Sequence, residues 1–392
     1  MKGFIFKELI NNIPEPNIIL NKLSINILND LKYKLKNIFN NNKNNNLLNY
    51  KKTHKNEYTK CNMFKDIPDD IKNLIEEENK KQNINTTTFS WTILLSNNIK
   101  YNIELNINYG NKKNCNLKYI NENKKIIKYY ILIKTIIEFL ISYSKNESRD
   151  IKIFLYLTKH IKIIPNKNNN IDWINVNTAF TQNLNTEIVI FRTEEWFKSL
   201  IHECIHNLSL DFNDIDKSIY LNKLKHIFKI NSDYLLFETY TELWAEIIQI
   251  LFISILNNNS NICNIIKDEL KFSIWQCNKI LSIPTNGGEY NDIINNNINV
   301  LKLYNENTNA FSYYVLKSIG LYNINIFLNW YNNNNNNILQ FNKKKIIQYV
   351  NLFEKLYNNK NLINYINIVK NKNKDDSFIN KTLRMSIYEI II

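Results

Sequence analysis

Residues 202–206 read His-Glu-Cys-Ile-His, inside a run whose apolar residues recur at helical spacing. Trp196, Phe197, Leu200, Ile201, Cys204, Ile205 and Leu208 fall on a wide apolar face. This run must therefore fold as a half-buried helix, expected over 194–209. Thr193 is the expected N-cap, with Glu194 and Glu195 in the first turn, where acids suit the helix dipole. Residues four apart on a helix lie about 40° apart around its axis. The imidazoles of His202 and His206 thus point the same way and can share one metal ion. Glu203 sits on the flank of that face, within reach of a metal-bound water but not of the metal. Two imidazoles beside a carboxylate base form the core of a zinc hydrolase site. Cys204 points elsewhere and is expected in the core.

Zinc requires a third protein ligand and an open position. Ser209 and Phe212 stand where an HExxHxxGxxH pattern would need Gly and His, so that pattern is excluded. A second candidate helix follows. Glu238, Glu242 and Glu246 are spaced four apart among Phe237, Leu243, Trp244 and Ala245, and no Lys or Arg occurs between Lys229 and Lys267. Like charges at this spacing destabilise an isolated helix. The surrounding residues are apolar, so the row is expected to be buried, and a buried acidic row needs a cation or hydrogen-bond donors.

The HExxH run and the downstream acidic helix resemble the zincin metallopeptidases, in particular their gluzincin branch. Glu242-Leu243-Trp244-Ala245-Glu246 is similar to the EFFAE-type segment of lethal-factor-like toxins. The resemblance covers about residues 185–256. It implies one Zn²⁺ per chain held by His202, His206 and Glu242, with Glu246 supporting a ligand histidine from behind and Glu203 as general base. Glu238 is the rival third ligand. The Asn/Lys/Ile bias and motif order are also similar to zincin-like proteins of large DNA viruses. The implied function is zinc-dependent hydrolysis of a polypeptide. The alternative is a zincin-fold structural or virion component without proteolysis.

The fold class expected is α+β: a zincin-like fold, with a small mixed sheet and the active-site helix over a mainly helical lower subdomain. Three regions are expected: 1–80 helical, with a loose Asn/Lys stretch near 40–56; 81–210 carrying the sheet and HExxH helix; and 211–392 helical, carrying the third ligand. Strands are expected at 86–96, 100–107 and 151–158, a long helix at 124–145, and a hairpin of 175–181 with 187–192 around 183–185. One hairpin strand is the candidate edge for pairing with an extended peptide. Loops are expected at 257–259, 295–297 and 332–337. Gly287-Gly288 suggests a turn with positive φ. On a helix at 309–318, Tyr313 and Tyr314 are candidate oxyanion donors.

Composition adds limits. Hydrophobic residues make up 44% of the 392, which is enough for a substantial core. The net charge is +14, yet only Arg149, Arg192 and Arg384 are arginines. A lysine excess of this kind follows from codon bias, and runs such as Lys343-Lys344-Lys345 and Lys370-Lys372-Lys374 read as solvated surface. Nonspecific attraction to nucleic acid or to an anionic membrane is the most that it supports. Cys61, Cys115, Cys204, Cys263 and Cys277 form no CxxC, which suits a reducing compartment. No signal peptide or transmembrane helix is expected, because the most apolar long run, 126–143, is broken by Lys128, Lys134 and Glu138. The expected location is the cytoplasm, either that of a host cell or within a virion.

Overall fold

The computed structural model describes residues 2–5, 10–44, 51–82, 84–95, 98–110, 116–144, 147–165, 170–181, 186–258, 260–335, 337–370 and 378–392. The turn expected at 183–185, together with Asn97, Cys115, Lys372 and Lys374, lies outside them. The architecture is α+β. Strands β1 (Lys2–Ile5), β2 (Lys51–Lys55), β3 (Ile84–Leu94), β4 (Lys100–Gly110), β5 (Arg149–Thr158), β6 (Ala179–Thr181), β7 (Glu187–Arg192) and β8 (Tyr388–Ile391) form two sheets. The larger has the order β2-β3-β4-β5-β7-β6, and the smaller pairs β1 with β8.

Eight helices lead up to and follow the HExxH run: α1 (Lys22–Asn44), α2 (Asp69–Gln82), α3 (Asn116–Ile141), α4 (Trp173–Val176), α5 (Trp196–Asn207), α6 (Ser218–Ile227), α7 (Leu236–Leu256) and α8 (Ile262–Ser282). Beyond residue 282 the described residues are mainly helical until β8. The strands expected at 86–96, 100–107, 151–158 and 187–192 are present with ends moved by a few residues, and the long helix runs from Asn116 to Ile141 rather than over 124–145.

The sheet is mixed because its connections differ. β3 and β4, close in sequence, pair antiparallel, whereas the α3 crossover lets β5 run parallel to β4. Alternate side chains of the central strands enter two cores. On β5 and β7, Ile151, Ile153, Leu155, Ile188 and Ile190 join the main core. Phe154, Tyr156, Val189 and Phe191 join a smaller one with Met63, Ile71 and Ile75. The main-core face carries α3 and α5, so the HExxH helix lies directly on β6 and β7.

Several expectations are corrected. The region 1–80 is not purely helical. Its strand β2 adds to the sheet edge, and β1 pairs with β8 from the far end of the chain, so this region forms no separate layer. The polar run Lys51–Lys55 has no apolar alternation that would mark it as a strand; main-chain pairing with β3 holds it. Residues 332–334 extend the helix Ile324–Asn334 rather than a loop. The segment 175–181 begins as α4, and only Ala179–Thr181 pairs with β7. The N-cap of α5 is Glu195, in a left-handed conformation at φ 58°, while Thr193 donates its hydroxyl to the Leu157 carbonyl at 2.7 Å. The positive φ expected at Gly287-Gly288 is present, at Gly287 with φ 107°, in the connection after α8.

α7 is long and apolar enough to cross a membrane by length and composition, but 89% of its most apolar window is buried within the fold. It is the central helix of the main core and packs along α5.

Candidate metal centre

α5 and α7 lie antiparallel, and each presents a polar stripe at four-residue spacing to the other. On α5 the stripe is Lys198, His202, His206; on α7 it is Glu246, Glu242, Glu238. Lys198 pairs with Glu242, and His206 faces Glu238. Both stripes are almost dry: Lys198 and Glu242 are 1% and 2% exposed.

The ring nitrogens are sorted by partner. His202 Nδ1 lies 3.1 Å from Glu242 Oε2, and His206 Nδ1 lies 2.6 Å from Asp211 Oδ2. Ionised carboxylates only accept, so each Nδ1 donates. Burial opposes charge on both rings, but Glu238 and Glu242 beside His202, and Asp211 and Glu238 beside His206, raise them above their ordinary value; each Nε2 presents a lone pair when its ring is neutral. The two Nε2 atoms are 3.0 Å apart, and Glu238 Oε2 is 3.1 Å from one and 3.3 Å from the other. Three electron-pair donors thus point at one place. Tetrahedral ligands about 2.0–2.1 Å from a zinc ion stand about 3.3–3.4 Å apart. The triangle is close to that size, and its donor set of two imidazoles and one carboxylate suits zinc. The residues therefore fit the ion.

His202, His206 and Glu238 are the group of His, Cys, Asp and Glu side chains that could hold a metal among the described residues. The structure brings Glu238, not Glu242, to the triangle. Glu242 sits one helical turn further along, behind His202, where Lys198 and Lys317 flank it. Glu246 pairs with Lys317 at 3.1 Å and supports neither histidine directly. Glu238 thus faces both Nε2 atoms, and Glu242, four residues later, stands behind His202 at its Nδ1.

Electrostatics follow this layout. Burial opposes ionisation of Glu238, but His206 and His202, when protonated, hold its carboxyl well below the usual range. Glu242 is likewise held low against burial by Lys198, His202 and Lys317. Burial pushes the Glu203 carboxyl up to about 7, against the pull of the adjacent imidazoles and of a hydrogen bond from the Thr181 backbone. Glu203 lines the cleft with His202, His206 and Glu238, between α5 and β6. A carboxylate poised near neutrality at such a point can both take and give a proton.

β6 is the outer strand of the sheet on this side. The Phe191 N–H donates to the Thr178 carbonyl at 3.0 Å, so the even-numbered residues of this segment face β7. Ala179 and Thr181 direct their main-chain groups away from β7. Of the two candidate edges, β7 lies inside the sheet and β6 faces the cleft.

Tyr313 and Tyr314 separate clearly. They occupy a π-helical turn, Phe311–Leu316. The Tyr313 ring stands 5.8 Å from the His202 ring and lines the cleft. Tyr314 points into the core, and its hydroxyl donates to the Leu383 carbonyl at 2.5 Å. Three further residues shape the site without having been singled out from sequence. Asp211 follows α5 after a left-handed Ser209, at φ 53°. Lys198 could have been found from its place four residues before His202 on the same face. Lys317 gave no local signal, because only tertiary packing brings it to α7.

Comparison with known proteins leaves the site to be read from its own chemistry: no family model, no curated protein and no solved structure matches the chain.

Proposed function

We propose that this α+β protein is a zinc-dependent metallopeptidase of zincin type, with His202, His206 and Glu238 as metal ligands. The observation that carries the reading is the meeting of two Nε2 atoms and one carboxylate oxygen within 3.3 Å, with each Nδ1 held from behind by a carboxylate. Such backing carboxylates fix ring orientation and raise the donor strength of metal-binding histidines. A Zn²⁺ ion held there would polarise a carbonyl oxygen and lower the pKa of a water molecule.

The chain's own residues supply the rest. Glu203 takes a proton from the attacking water onto its carboxylate. As the new C–O bond forms and the C–N bond breaks, it passes that proton to the leaving amine nitrogen. β6 offers main-chain groups to an extended polypeptide at the cleft. Glu242 and Asp211 hold the two imidazoles in register, and Lys198 and Lys317 keep Glu242 ionised. The four described cysteines are free, which supports a reducing, cytoplasmic setting, in a host cell or a virion.

Replacing Glu203 with Gln tests this reading. The variant keeps size and hydrogen bonding but has no base. Zinc content and thermal stability are expected to stay near wild type, while peptide hydrolysis falls by about two to four orders of magnitude. Equal cleavage by both proteins would remove the catalytic reading and leave a structural, non-proteolytic zinc protein.

A further inference from the structure

Two cavities flank the His–Glu cluster, and they differ in size. The larger holds about 130 Å³ and lies between Phe180 and Thr181 of β6 and Phe237 and Glu238 of α7. The smaller holds about 30 Å³ and lies beyond Glu203, toward the N-terminal end of α5. Val176, Thr178, Ser199 and Met385 line it, together with Lys162 and Glu242, whose charges are paired with Glu195 and Lys198. A space of that size admits about two water-sized groups, which matches a methyl or hydroxymethyl side chain.

Both cavities border β6, but at opposite ends. Asn177 and Ala179 line both, Phe180 and Thr181 line the larger alone, and Val176 and Thr178 line the smaller alone. A peptide pairing antiparallel with β6, as β7 already does on its other side, runs from the Thr181 end toward Thr178. The residue before the scissile bond then meets the larger cavity, and the residue after it meets the smaller. Resting on the peptidase reading, we propose that the substrate residue supplying the leaving amine must be small, namely glycine, alanine or serine, and that Met385 sets this limit.

Met385 is well placed to act as a fixed stop. Its N–H donates to Glu195 at 2.9 Å, and its carbonyl accepts from Lys317 at 2.6 Å. Glu195 and Lys317 are themselves buried, at 1% exposure each. The main chain carrying Met385 is thus held on both sides, so a larger substrate side chain gains room only by turning the Met385 side chain itself. Ser199 closes the opposite wall from the rigid helix that bears His202. The limit falls on one side of the scissile bond only, since the 130 Å³ cavity accepts bulkier groups.

Mass-spectrometric mapping of cleavage in a peptide library, using zinc-replete protein, tests the proposal. Wild type is expected to favour glycine, alanine or serine on the amine side by about tenfold or more over leucine and phenylalanine, the usual worth of a pocket that excludes added methylenes. Met385→Ala should admit leucine there. Ser199→Val, on an independent element, should restrict cleavage further toward glycine while leaving zinc content unchanged. Frequent leucine or phenylalanine on the amine side in wild type overturns the proposal, as does a size limit on the carbonyl side. Glu203-dependent cleavage without any size preference sinks this inference alone. If no peptide is cleaved by wild type, the peptidase reading falls, and this inference with it.

Discussion

At the N-terminal end of α5, Glu195 accepts from Lys162 Nζ at 2.6 Å and from the N–H groups of Met385 and Ser386. Arg384 reaches Glu194 and Glu389 nearby. At the C-terminal end of the same helix, His202 and His206 turn their Nε2 atoms toward each other and toward Glu238. Both ends are buried and crowded with charge. The first is matched within the chain, each carboxylate by a cation or an amide. The second gathers electron-pair donors, with the cations Lys198 and Lys317 set one turn behind them on Glu242. The contrast teaches that burial of charge alone does not mark a functional site. What marks it is three donors of one kind aimed at a common point while their other atoms are held by partners.

The comparison breaks most sharply at the ligand itself. If the proposed zinc site is right, Glu238→Gln abolishes stoichiometric zinc, taking metal analysis from about one ion per chain to near none, because one of three proposed ligands is removed. Retention of full zinc by this variant would return Glu242 to the ligand position.

At the matched end, the effect should be on stability rather than metal. Arg384→Met leaves the Glu194 and Glu389 carboxylates buried without their guanidinium. Losing one member of such a pair costs about 3–5 kcal/mol. Denaturant unfolding should show that loss, with zinc affinity changed less than by any substitution at Glu242.

Acid should find the same end of the helix. Burial opposes ionisation of Glu195, yet Lys162, Lys198 and Arg384 bring its carboxyl down to about 2. Glu194 and Glu389 face the same group of cations and add negative charge beside them. A carboxyl depressed in the folded state gives stability that is present above its unfolded value of about 4.3 and is lost as pH falls toward 2. For Glu195 this amounts to roughly 3 kcal/mol. Glu195→Gln should flatten the stability profile in that window; an unchanged acid slope would contradict the assignment.

The smallest expected effect sharpens the comparison from behind the metal. Glu242→Gln and Asp211→Asn keep all three ligands but weaken the hold on each Nδ1. Zinc affinity should fall about tenfold to a hundredfold while a stoichiometric site persists at saturating zinc. Competition with a chelator measures this directly.

Much of this arrangement was written in residue spacing. Apolar periodicity placed α5 and α7, and the four-residue intervals put His202 with His206, and Glu238 with Glu242, on single helix faces. Both histidines, Glu203 and the buried acidic row could therefore be named from sequence, as could the strands β3, β4, β5 and β7. The strand β2 could not, because its residues Lys51–Lys55 carry no apolar alternation and only pairing with β3 makes them a strand. Which glutamate meets the histidines was also beyond the sequence. A stripe repeating every four residues looks the same after sliding by one turn, about 5.4 Å, so spacing alone leaves Glu238 and Glu242 equivalent. Tertiary packing removed that ambiguity. Lys198 and Lys317, the latter from a helix seventy-odd residues downstream, converge on Glu242 and claim it as their counter-ion. The antiparallel fit of α5 against α7 then leaves Glu238 opposite the imidazoles. Local chemistry determined which groups could bind a metal; long-range charge matching in the core decided which of them face one another.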